Sequence, residues 1–199
     1  MVEVVSDTQL WRQMQQGDAA AFAALYRRHQ AALYRYALLR TGSESAAADL
    51  VQEVFMGLMQ NQYRFDPLLG SLQFFLFGVI RNLALKHDAS QRRFGVPPIR
   101  SSGGDEEDEE CEEVMCESPT PLQRLLHNEM AEDLRAAIAS LSAHYRDVLI
   151  LFEMEELTYL EIAEICQINV GTVRSRLSRA RQALAERLQA WQGEHAKSA

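Results

Sequence analysis

The sequence predicts an all-α protein made of two small helical domains joined by a disordered acidic linker. Apolar residues recur at three- and four-residue steps over most of the chain, which is the spacing of a helix with one buried face. Residues 94–121 lack this pattern, and no alternation of apolar and polar residues typical of a β-strand persists anywhere. The predicted boundaries are therefore 1–93 for the first domain, 94–121 for the linker and 122–199 for the second domain.

The first domain contains at least three predicted helices. Asp18 is a suitable N-cap for a segment from Phe22 to Tyr36 with apolar residues at helical spacing. Thr41-Gly42-Ser43 should end that helix. The next helix carries one apolar face, formed by Leu50, Val51, Val54, Phe55 and Leu58. A turn-rich break from Asn61 to Gly70 follows, and Ser71 begins a very apolar helix that runs to about His87.

The linker is predicted from its composition. It contains two Pro-rich ends, the run Ser101-Ser102-Gly103-Gly104 and an acidic stretch from Asp105 to Glu113. Such a segment cannot bury enough apolar surface to offset its chain entropy. Residues 94–121 carry one basic and nine acidic residues, whereas residues 170–199 carry six basic and two acidic residues. The formal net charge of −8 therefore does not exclude a nucleic-acid partner for the basic C-terminal end.

The second domain contains the pattern of a helix-turn-helix motif. Thr158 and Glu161 fit a capping box, Cys166-Gln167-Ile168 makes the turn, and Asn169 caps the following helix. One seam of that helix is apolar, at Val170, Val173, Leu177, Ala180, Leu184 and Leu188. Its other faces carry Thr172, Arg174, Ser175, Arg176, Ser178, Arg179, Arg181 and Gln182. Arginine forks bind phosphates and guanine edges, so this helix is predicted to read the major groove of DNA.

Two sets of motifs resemble the extracytoplasmic-function sigma factors of the sigma-70 family. Similarity to their fourth domain is carried by Leu157 to Ile165, Val170 to Leu177 and Arg179-Ala180-Arg181. Similarity to their second domain is carried by Asp49 to Phe55, Phe65-Asp66-Pro67, Gly70-Ser71 and Arg81 to Leu85. Both sets lie in the family's order. The resemblance implies a sigma factor that directs promoter-specific initiation by binding core RNA polymerase and the minus-10 and minus-35 promoter elements.

The resemblance also implies roles for individual residues. The surface that docks on the clamp helices of the polymerase largest subunit would comprise Asp49, Leu50, Gln52, Glu53 and Phe55. A flipped base and the melted strand of the minus-10 element would be contacted by Phe65, Asp66, Gly70, Ser71, Arg81, Asn82 and Lys86. The minus-35 element would be read by Thr172, Arg174, Ser175, Arg176, Ser178, Arg179 and Arg181. The fourth domain would also contact the polymerase flap, and an anti-sigma factor is a further expected partner.

The sequence departs from the family pattern at several positions. Gln167 stands at the turn where the family usually has glycine, so it has to accept a conformation that glycine adopts more easily. Phe75 stands where the family often has tryptophan, and Gln73 and Gly78 stand where it often has basic residues. Fewer positive charges release fewer counterions, which predicts a weaker contact with the melted strand.

Other classes of function lack sequence support. The five histidines are scattered, and neither a glycine-rich phosphate loop nor a paired acid–base motif occurs, so we expect no enzyme activity and no cofactor. Three cysteines without a CxxC motif predict neither a disulfide framework nor a metal site. Without a long apolar run or a signal peptide we expect a cytoplasmic protein with no membrane insertion. Two alternatives remain, a helix-turn-helix regulator that acts without polymerase and a helical adaptor that binds only proteins.

Two roles for the acidic linker also remain open. As a spacer, its 28 residues extend to roughly 90 Å, which exceeds the distance between the two promoter elements, on the order of 50–60 Å. Alternatively, the run from Asp105 to Glu113 imitates a nucleic-acid strand and covers the arginines of the predicted recognition helix. Cys111 and Cys116 could form a redox latch, although their acidic neighbours disfavour the thiolate.

Overall fold

The computed structural model describes residues 5–93 and 131–195, and every regular element within these two ranges is an α-helix. The N-terminal bundle consists of α1 (Asp7–Gln15), α2 (Ala19–Thr41), α3 (Glu44–Met59) and α4 (Leu72–Arg93). The C-terminal bundle consists of α5 (residues 131–139), α6 (Ala143–Glu153), α7 (Tyr159–Cys166) and α8 (Val170–His195). The all-α prediction is confirmed, whereas the predicted linker at 94–121 lies outside the described residues.

Side-chain caps and one glycine fix where the N-terminal helices begin and end. Asp18, the predicted cap of α2, accepts hydrogen bonds at Oδ1 from the amides of Ala20 and Ala21, at 2.8 and 3.3 Å. Ser43 caps α3 in the same way by accepting a bond from an amide of its first turn. Gly42 ends α2 in the left-handed conformation, at φ 71°, which costs glycine little because it has no Cβ. The predicted break between the two helices is therefore confirmed.

Helix α2 is the central helix of the N-terminal bundle, and α1, α3 and α4 all pack against it. Its buried residues at helical spacing include Leu25, Leu33 and Tyr36. The opposing faces of α3 and α4 bury Leu50, Val51, Val54, Phe55, Leu58, Leu72, Leu76, Phe77 and Ile80. The apolar face that the sequence predicts for α3 is thus the face that closes the core.

The C-terminal bundle contains the predicted helix-turn-helix motif in α7 and α8. The capping box is formed, since the Thr158 amide donates to Glu161 Oε2 at 2.8 Å and the Glu161 amide donates to Thr158 Oγ1 at 3.3 Å. Gln167 makes the turn in the left-handed conformation, at φ 55° and ψ 47°. Asn169 Oδ1 then accepts a bond from the Thr172 amide at 2.8 Å and so caps α8. The predicted seam is buried at Val173, Leu177 and Ala180.

The two bundles pack directly on each other, which the sequence did not predict. Helix α6 packs on α2, and α7 packs on α4. The buried apolar residues of both bundles form one continuous cluster. At the edge of this interface the Arg35 guanidinium of α2 donates two hydrogen bonds of 3.1 Å to the carboxylate of Glu155, whose side chain is only 2% exposed.

Replacing Gln167 with glycine should raise the free energy of unfolding by about 1 kcal/mol. The left-handed conformation costs a residue with a Cβ roughly 1–2 kcal/mol and costs glycine far less, although the greater freedom of glycine in the unfolded chain offsets part of the gain. Urea titration followed by circular dichroism would measure the change, and the melting temperature should rise by about 2–4 °C. Gln167→Ala is the matched control and should show no gain. A glycine variant less stable than the parent would contradict the prediction.

Candidate nucleic-acid interface

The polar face of α8 is an exposed basic surface. Side chains in contact with solvent along it are Arg174, Ser175, Ser178, Arg179 and Arg181, while Thr172 and Arg176 are half-buried. All seven are the residues predicted to read the minus-35 element, and the helical period places them opposite the seam that packs on α6 and α7. The structure therefore brings this set of residues together on one surface.

The arginines of this face differ in how firmly they are held. Arg181 donates from Nε to Glu153 Oε1 at 2.7 Å, and its guanidinium lies 5.2 Å from the ring centroid of Phe152. The guanidinium of Arg174 lies 5.7 Å from the ring centroid of Tyr159. Within the described ranges no carboxylate lies at ion-pair distance from Arg179. Arg179 is therefore free to form a bidentate pair with a ligand, whereas Arg181 already uses part of its donor set.

The loop between α3 and α4 forms a second exposed polar surface. Asp66 Oδ1 accepts a bond from the Leu68 amide at 2.9 Å, and Ser71 Oγ accepts one from the Phe74 amide at 3.2 Å. Asp66, Gly70 and Ser71 are exposed, and Gly70 has a φ of 148°. These three residues and Phe65 belong to the same loop, to which the resemblance assigns contacts with the minus-10 element.

Aromatic packing holds this loop against the bundle. The ring of Phe65 is half-buried, with its centroid 5.4 Å from that of Trp11 in α1 and 5.5 Å from that of Phe75 in α4. Tyr63 lies against Gly57 of α3, where a Cβ would overlap the tyrosine ring. The edge-to-face contact with Trp11 fixes the orientation of the Phe65 ring. The base of the loop is therefore anchored on α1, α3 and α4, while its tip is exposed.

Two leucines at the tip of the loop were missed by the sequence reasoning. Leu68 is 93% exposed and Leu69 is 77% exposed, the highest values among the exposed large apolar side chains of the described residues. Large apolar side chains next to a polar loop are well placed to stack on or wedge against a base. Their sequence signal was a pair of leucines within an otherwise turn-forming segment.

The three remaining residues that were predicted to contact the melted strand, Arg81, Asn82 and Lys86, all lie on α4 but do not share one exposed face. Asn82 and Lys86 are exposed, one turn apart. Arg81 is only 9% exposed, because it lies under the C-terminal bundle. Its Nε donates to Asp147 Oδ2 at 3.0 Å, and its Nη1 donates to the carbonyl of Ile165 at 3.4 Å. The structure thus does not bring Arg81 onto the surface formed by Asn82 and Lys86.

Arg81 belongs to a buried charged cluster at the interface of the two bundles. Asp147 of α6 is 1% exposed, and its Oδ1 accepts bonds from Arg40 Nε at 2.6 Å and from Tyr36 Oη at 3.1 Å. Arg40 Nη2 donates a further bond of 2.7 Å to Asp88 of α4. Burial, reinforced by the negative charge of Asp147, holds the pKa of the Tyr36 hydroxyl well above its ordinary value.

The residues predicted to dock on polymerase divide into an exposed and a buried set. Asp49, Gln52 and Glu53 form an exposed stripe on α3. Leu50 and Phe55 are each 3% exposed and belong to the core. A groove of about 510 Å³ adjoins the stripe between α2 and α3. Three partly exposed side chains, Tyr26, Met56 and Met59, line this groove. The sequence did not indicate them as surface residues, because methionines and aromatics at helical spacing resemble core residues.

The described residues offer little for other kinds of site. In residues 5–93 and 131–195, no three His, Cys, Asp or Glu side chains are grouped so that they could hold a metal ion. Across the same residues, none of the helices combines the length and the apolarity that crossing a membrane requires. Burial raises the pKa of the Cys166 thiol to about 11, so this cysteine is present almost wholly as the protonated thiol at neutral pH.

Comparisons with known proteins confirm the resemblance. The Sigma-70 region 2 family model matches residues 25–94, and the Sigma-70 region 4 model matches residues 131–184. The ECF RNA polymerase sigma factor SigL of Mycobacterium tuberculosis is 33% identical over 172 residues, which cover 86% of this chain and 91% of that protein. The ECF RNA polymerase sigma-E factor of Escherichia coli is 32% identical over 195 residues, which cover 95% of this chain and 97% of that protein.

Solved structures agree with this assignment. The sigma factor RpoE of Bartonella quintana, in complex with the anti-sigma factor NepR, has a TM-score of 0.61 and 26% identity, covering 84% of this chain and 96% of that chain. CnrH, in complex with the cytosolic domain of CnrY, shares the fold with a TM-score of 0.64 and 23% identity, covering 94% of this chain and 99% of that chain. The chain therefore belongs to the extracytoplasmic-function sigma factors of the sigma-70 family, the RNA polymerase sigma factors that direct promoter-specific transcription initiation.

Proposed function

We propose that the C-terminal bundle reads the minus-35 element with α8, while the N-terminal bundle docks on core polymerase and binds the melted minus-10 strand. The observation that carries this proposal is the exposed arginine and serine face of α8, which follows directly after a capped helix and a tight turn. A helix presented in this way fits the major groove. The chain acts by binding its partners and contributes no catalytic group of its own.

Within the recognition helix, the side chains divide the work of reading and positioning. Arg179 is exposed and lies at the centre of the face, so we assign it a base edge, most simply the O6 and N7 atoms of a guanine. Arg176 is half-buried next to α7 and is assigned a phosphate. Arg181, braced by Glu153 and Phe152, supports the helix and contributes positive potential.

For polymerase docking we propose the exposed stripe of Asp49, Gln52 and Glu53 together with the adjoining groove between α2 and α3. The stripe supplies acceptors for basic side chains, and the apolar groove supplies buried area, a combination typical of protein interfaces. Leu50 and Phe55 support this surface from within the core. Clamp helices of the largest polymerase subunit are the proposed occupant, and the polymerase flap is the proposed partner of the C-terminal bundle.

For the minus-10 element we propose that the loop from Phe65 to Ser71 receives a flipped base, with Asn82 and Lys86 along the strand. Taking a base out of the stack costs a few kcal/mol. A loop anchored by aromatic packing and exposed at its tip can supply compensating contacts. We further propose functional boundaries at 1–93 and 122–199, with residues 94–121 as the tether.

An anti-sigma factor is the proposed negative regulator of this chain. Two structural relatives, CnrH and the Bartonella RpoE, were solved bound to partners, of which NepR is named as an anti-sigma factor. The groove between α2 and α3 and its exposed methionines offer an apolar surface to such a partner. Binding there would exclude polymerase by direct competition.

Run-off transcription with core polymerase on a library of promoter fragments tests the proposal as a whole. Initiation that depends on the template and on this chain supports the proposed division of labour. Sequence-specific binding of duplex DNA with no initiation would instead identify a regulator that acts without polymerase.

Arg179→Ala should weaken promoter binding by about 1–3 kcal/mol and relax selectivity at one minus-35 position, because a bidentate base contact is lost. Arg176→Ala should weaken binding to all sequences about equally, because a phosphate carries no sequence information. Electrophoretic mobility shifts with promoter fragments that differ by single bases in the minus-35 element would measure both effects. Arg187→Ala removes the same charge from the exposed face further along α8 and is the control. Unchanged affinity and selectivity in both variants would contradict the assignment of α8.

Reversing the charge at Asp49 and Glu53 to lysine should abolish binding to core polymerase without unfolding the chain, since both side chains are exposed. Co-elution with core polymerase in size-exclusion chromatography measures docking, and circular dichroism and melting temperature report the fold. Glu44→Lys is the control, because Glu44 lies on the same helix but is rotated by roughly 140° from Asp49 and roughly 180° from Glu53 at 3.6 residues per turn. A double variant that is folded and still co-elutes would show that the stripe does not dock.

A further inference from the structure

Two arginines of the N-terminal bundle converge on one carboxylate of the C-terminal bundle. Arg40 Nε lies 2.6 Å from Asp147 Oδ1, and Arg81 Nε lies 3.0 Å from Asp147 Oδ2, so that each carboxylate oxygen is bound by a different arginine. The side chains of Arg40 and Asp147 are each 1% exposed, and that of Arg81 is 10% exposed. Asp147 is thus a ligand that the C-terminal bundle places between two guanidinium groups of the other bundle.

The chemistry of this arginine pair does not depend on a carboxylate. A phosphodiester also presents two anionic oxygens on one centre, and arginine forks bind both groups with the same geometry. Arg81 directly precedes Asn82 on α4 and lies five residues before Lys86, so its side chain projects about 100° and 140° around the helix from these two exposed residues assigned to the melted strand. Once the C-terminal bundle is displaced, Arg81 would add a basic contact on the flank of the surface formed by Asn82 and Lys86.

We propose that Arg40 and Arg81 form a binding site for a backbone phosphate of single-stranded promoter DNA, and that Asp147 occupies this site while the two bundles are packed together. The strand and the C-terminal bundle therefore compete for the same two guanidinium groups. This inference rests on the proposed function, because it takes Arg81 to contact the melted strand.

The rest of the cluster supports a site that survives the separation of the bundles. Asp88 lies in the same bundle as Arg40, and its carboxylate accepts a hydrogen bond of 2.7 Å from Arg40 Nη2. Asp88 therefore holds this guanidinium in place when Asp147 leaves. Arg146 travels with Asp147 on α6; it donates to the carbonyls of Arg40, Ala139 and Leu141, of which only the first is in the N-terminal bundle. Separation thus breaks two arginine-to-carbonyl contacts, Arg146 with Arg40 and Arg81 with Ile165, together with the pairs formed by Asp147 and Glu155. It also opens the apolar contacts of α2 with α6 and of α4 with α7.

The energetic character of the interface also fits an exchangeable contact. The attraction within a buried ion pair is largely cancelled by the cost of removing both charges from water. Separation returns Asp147 to solvent and gives Arg40 and Arg81 a phosphate instead. Each charged group is therefore either paired or hydrated in both arrangements. Neither arrangement leaves a buried charge without a partner, so the two states can be in equilibrium.

Asp147→Asn tests the competition by removing the charge at nearly constant shape. The affinity of the free, full-length chain for a short fluorescein-labelled single strand of mixed sequence is measured by fluorescence anisotropy. We expect binding about tenfold tighter than in the parent, the factor gained when a binding state populated at about one tenth becomes dominant. Glu164→Gln removes an exposed carboxylate of the same bundle and should leave the affinity unchanged.

Adding Arg81→Gln to Asp147→Asn identifies the phosphate site itself. The second substitution should abolish the gain and reduce the slope of log affinity against log salt by about 0.7, the value for one phosphate contact on a single strand. A gain in affinity that persists without Arg81 would overturn the assignment.

A reversible cross-link tests the same competition without altering the charged cluster. A Cβ at Gly42 in the N-terminal bundle would lie 3.3 Å from the Cβ of Ala139 in the C-terminal bundle, slightly less than the roughly 3.8 Å of a disulfide. Cysteine at position 42 has to accept the left-handed backbone at φ 71°, so the reduced form of the same variant is the reference for every comparison. The Gly42→Cys, Ala139→Cys variant is made with serine at positions 111 and 116. We expect the oxidised chain to bind the strand about tenfold more weakly than the same chain after reduction.

The outcomes separate this inference from the proposed function. Equal strand affinity of the oxidised and reduced chains, with normal run-off initiation by the reduced chain, overturns the competition and leaves the sigma-factor function intact. Absence of initiation by the unmodified chain overturns the proposed function instead. If Asp147→Asn loses its helical circular dichroism signal, the cross-linked variant decides alone.

Discussion

The arrangement of the two bundles depends on one buried carboxylate. Asp147 is surrounded by Arg40, Arg81 and the hydroxyl of Tyr36. Within the described residues, only Arg40 of these three groups has a second carboxylate partner, Asp88 of its own bundle at 2.7 Å. Removing one member of a buried ion cluster typically costs 3–5 kcal/mol, because the remaining charges stay desolvated. The cluster therefore holds together as a unit or is hydrated as a unit. Intermediate arrangements, with one arginine bound and one stranded, are disfavoured.

Because the cluster holds or opens as a unit, the two proposed nucleic-acid surfaces, the arginine face of α8 and the site around Arg81, differ in their exposure to solvent. The arginine face of α8 is exposed while the bundles are packed together, since α6 and α7 form the interface. Arg81, in contrast, is buried by the same packing. If α8 reads duplex DNA and Arg81 contacts the melted strand, as proposed, a chain in this arrangement presents its recognition helix while it withholds an arginine from single strands. Such a difference would reduce nonspecific binding to single-stranded nucleic acid, which arginine-rich surfaces otherwise favour.

Local sequence signals predicted the helices and the recognition face well, because caps, turns and seams depend on residues close in the chain. Asp18, the Thr158–Glu161 box and Asn169 each act within three residues of their own position. The interface could not be predicted in this way. Arg40 and Asp147 are 107 residues apart, and charged residues are ordinarily solvated, so nothing in their immediate neighbourhoods indicated burial. Because local signals do not report long-range contacts, the sequence predicts Arg81 on the surface and does not indicate that Met56, Met59 and Leu68 are exposed.

The order of events at a promoter suggests a physical reason for burying Arg81 in the free chain. A melted strand exists only after polymerase has engaged the duplex, so a strand-binding group is useful late and harmful early. The proposed docking through α3 and the proposed reading through α8 need no part of the buried cluster, so both could begin while Asp147 remains between Arg40 and Arg81. Holding the bundles at two separated promoter elements would then pull α6 away from α2. The free energy of duplex and polymerase binding would thereby release the phosphate site at the stage when a strand is present to occupy it.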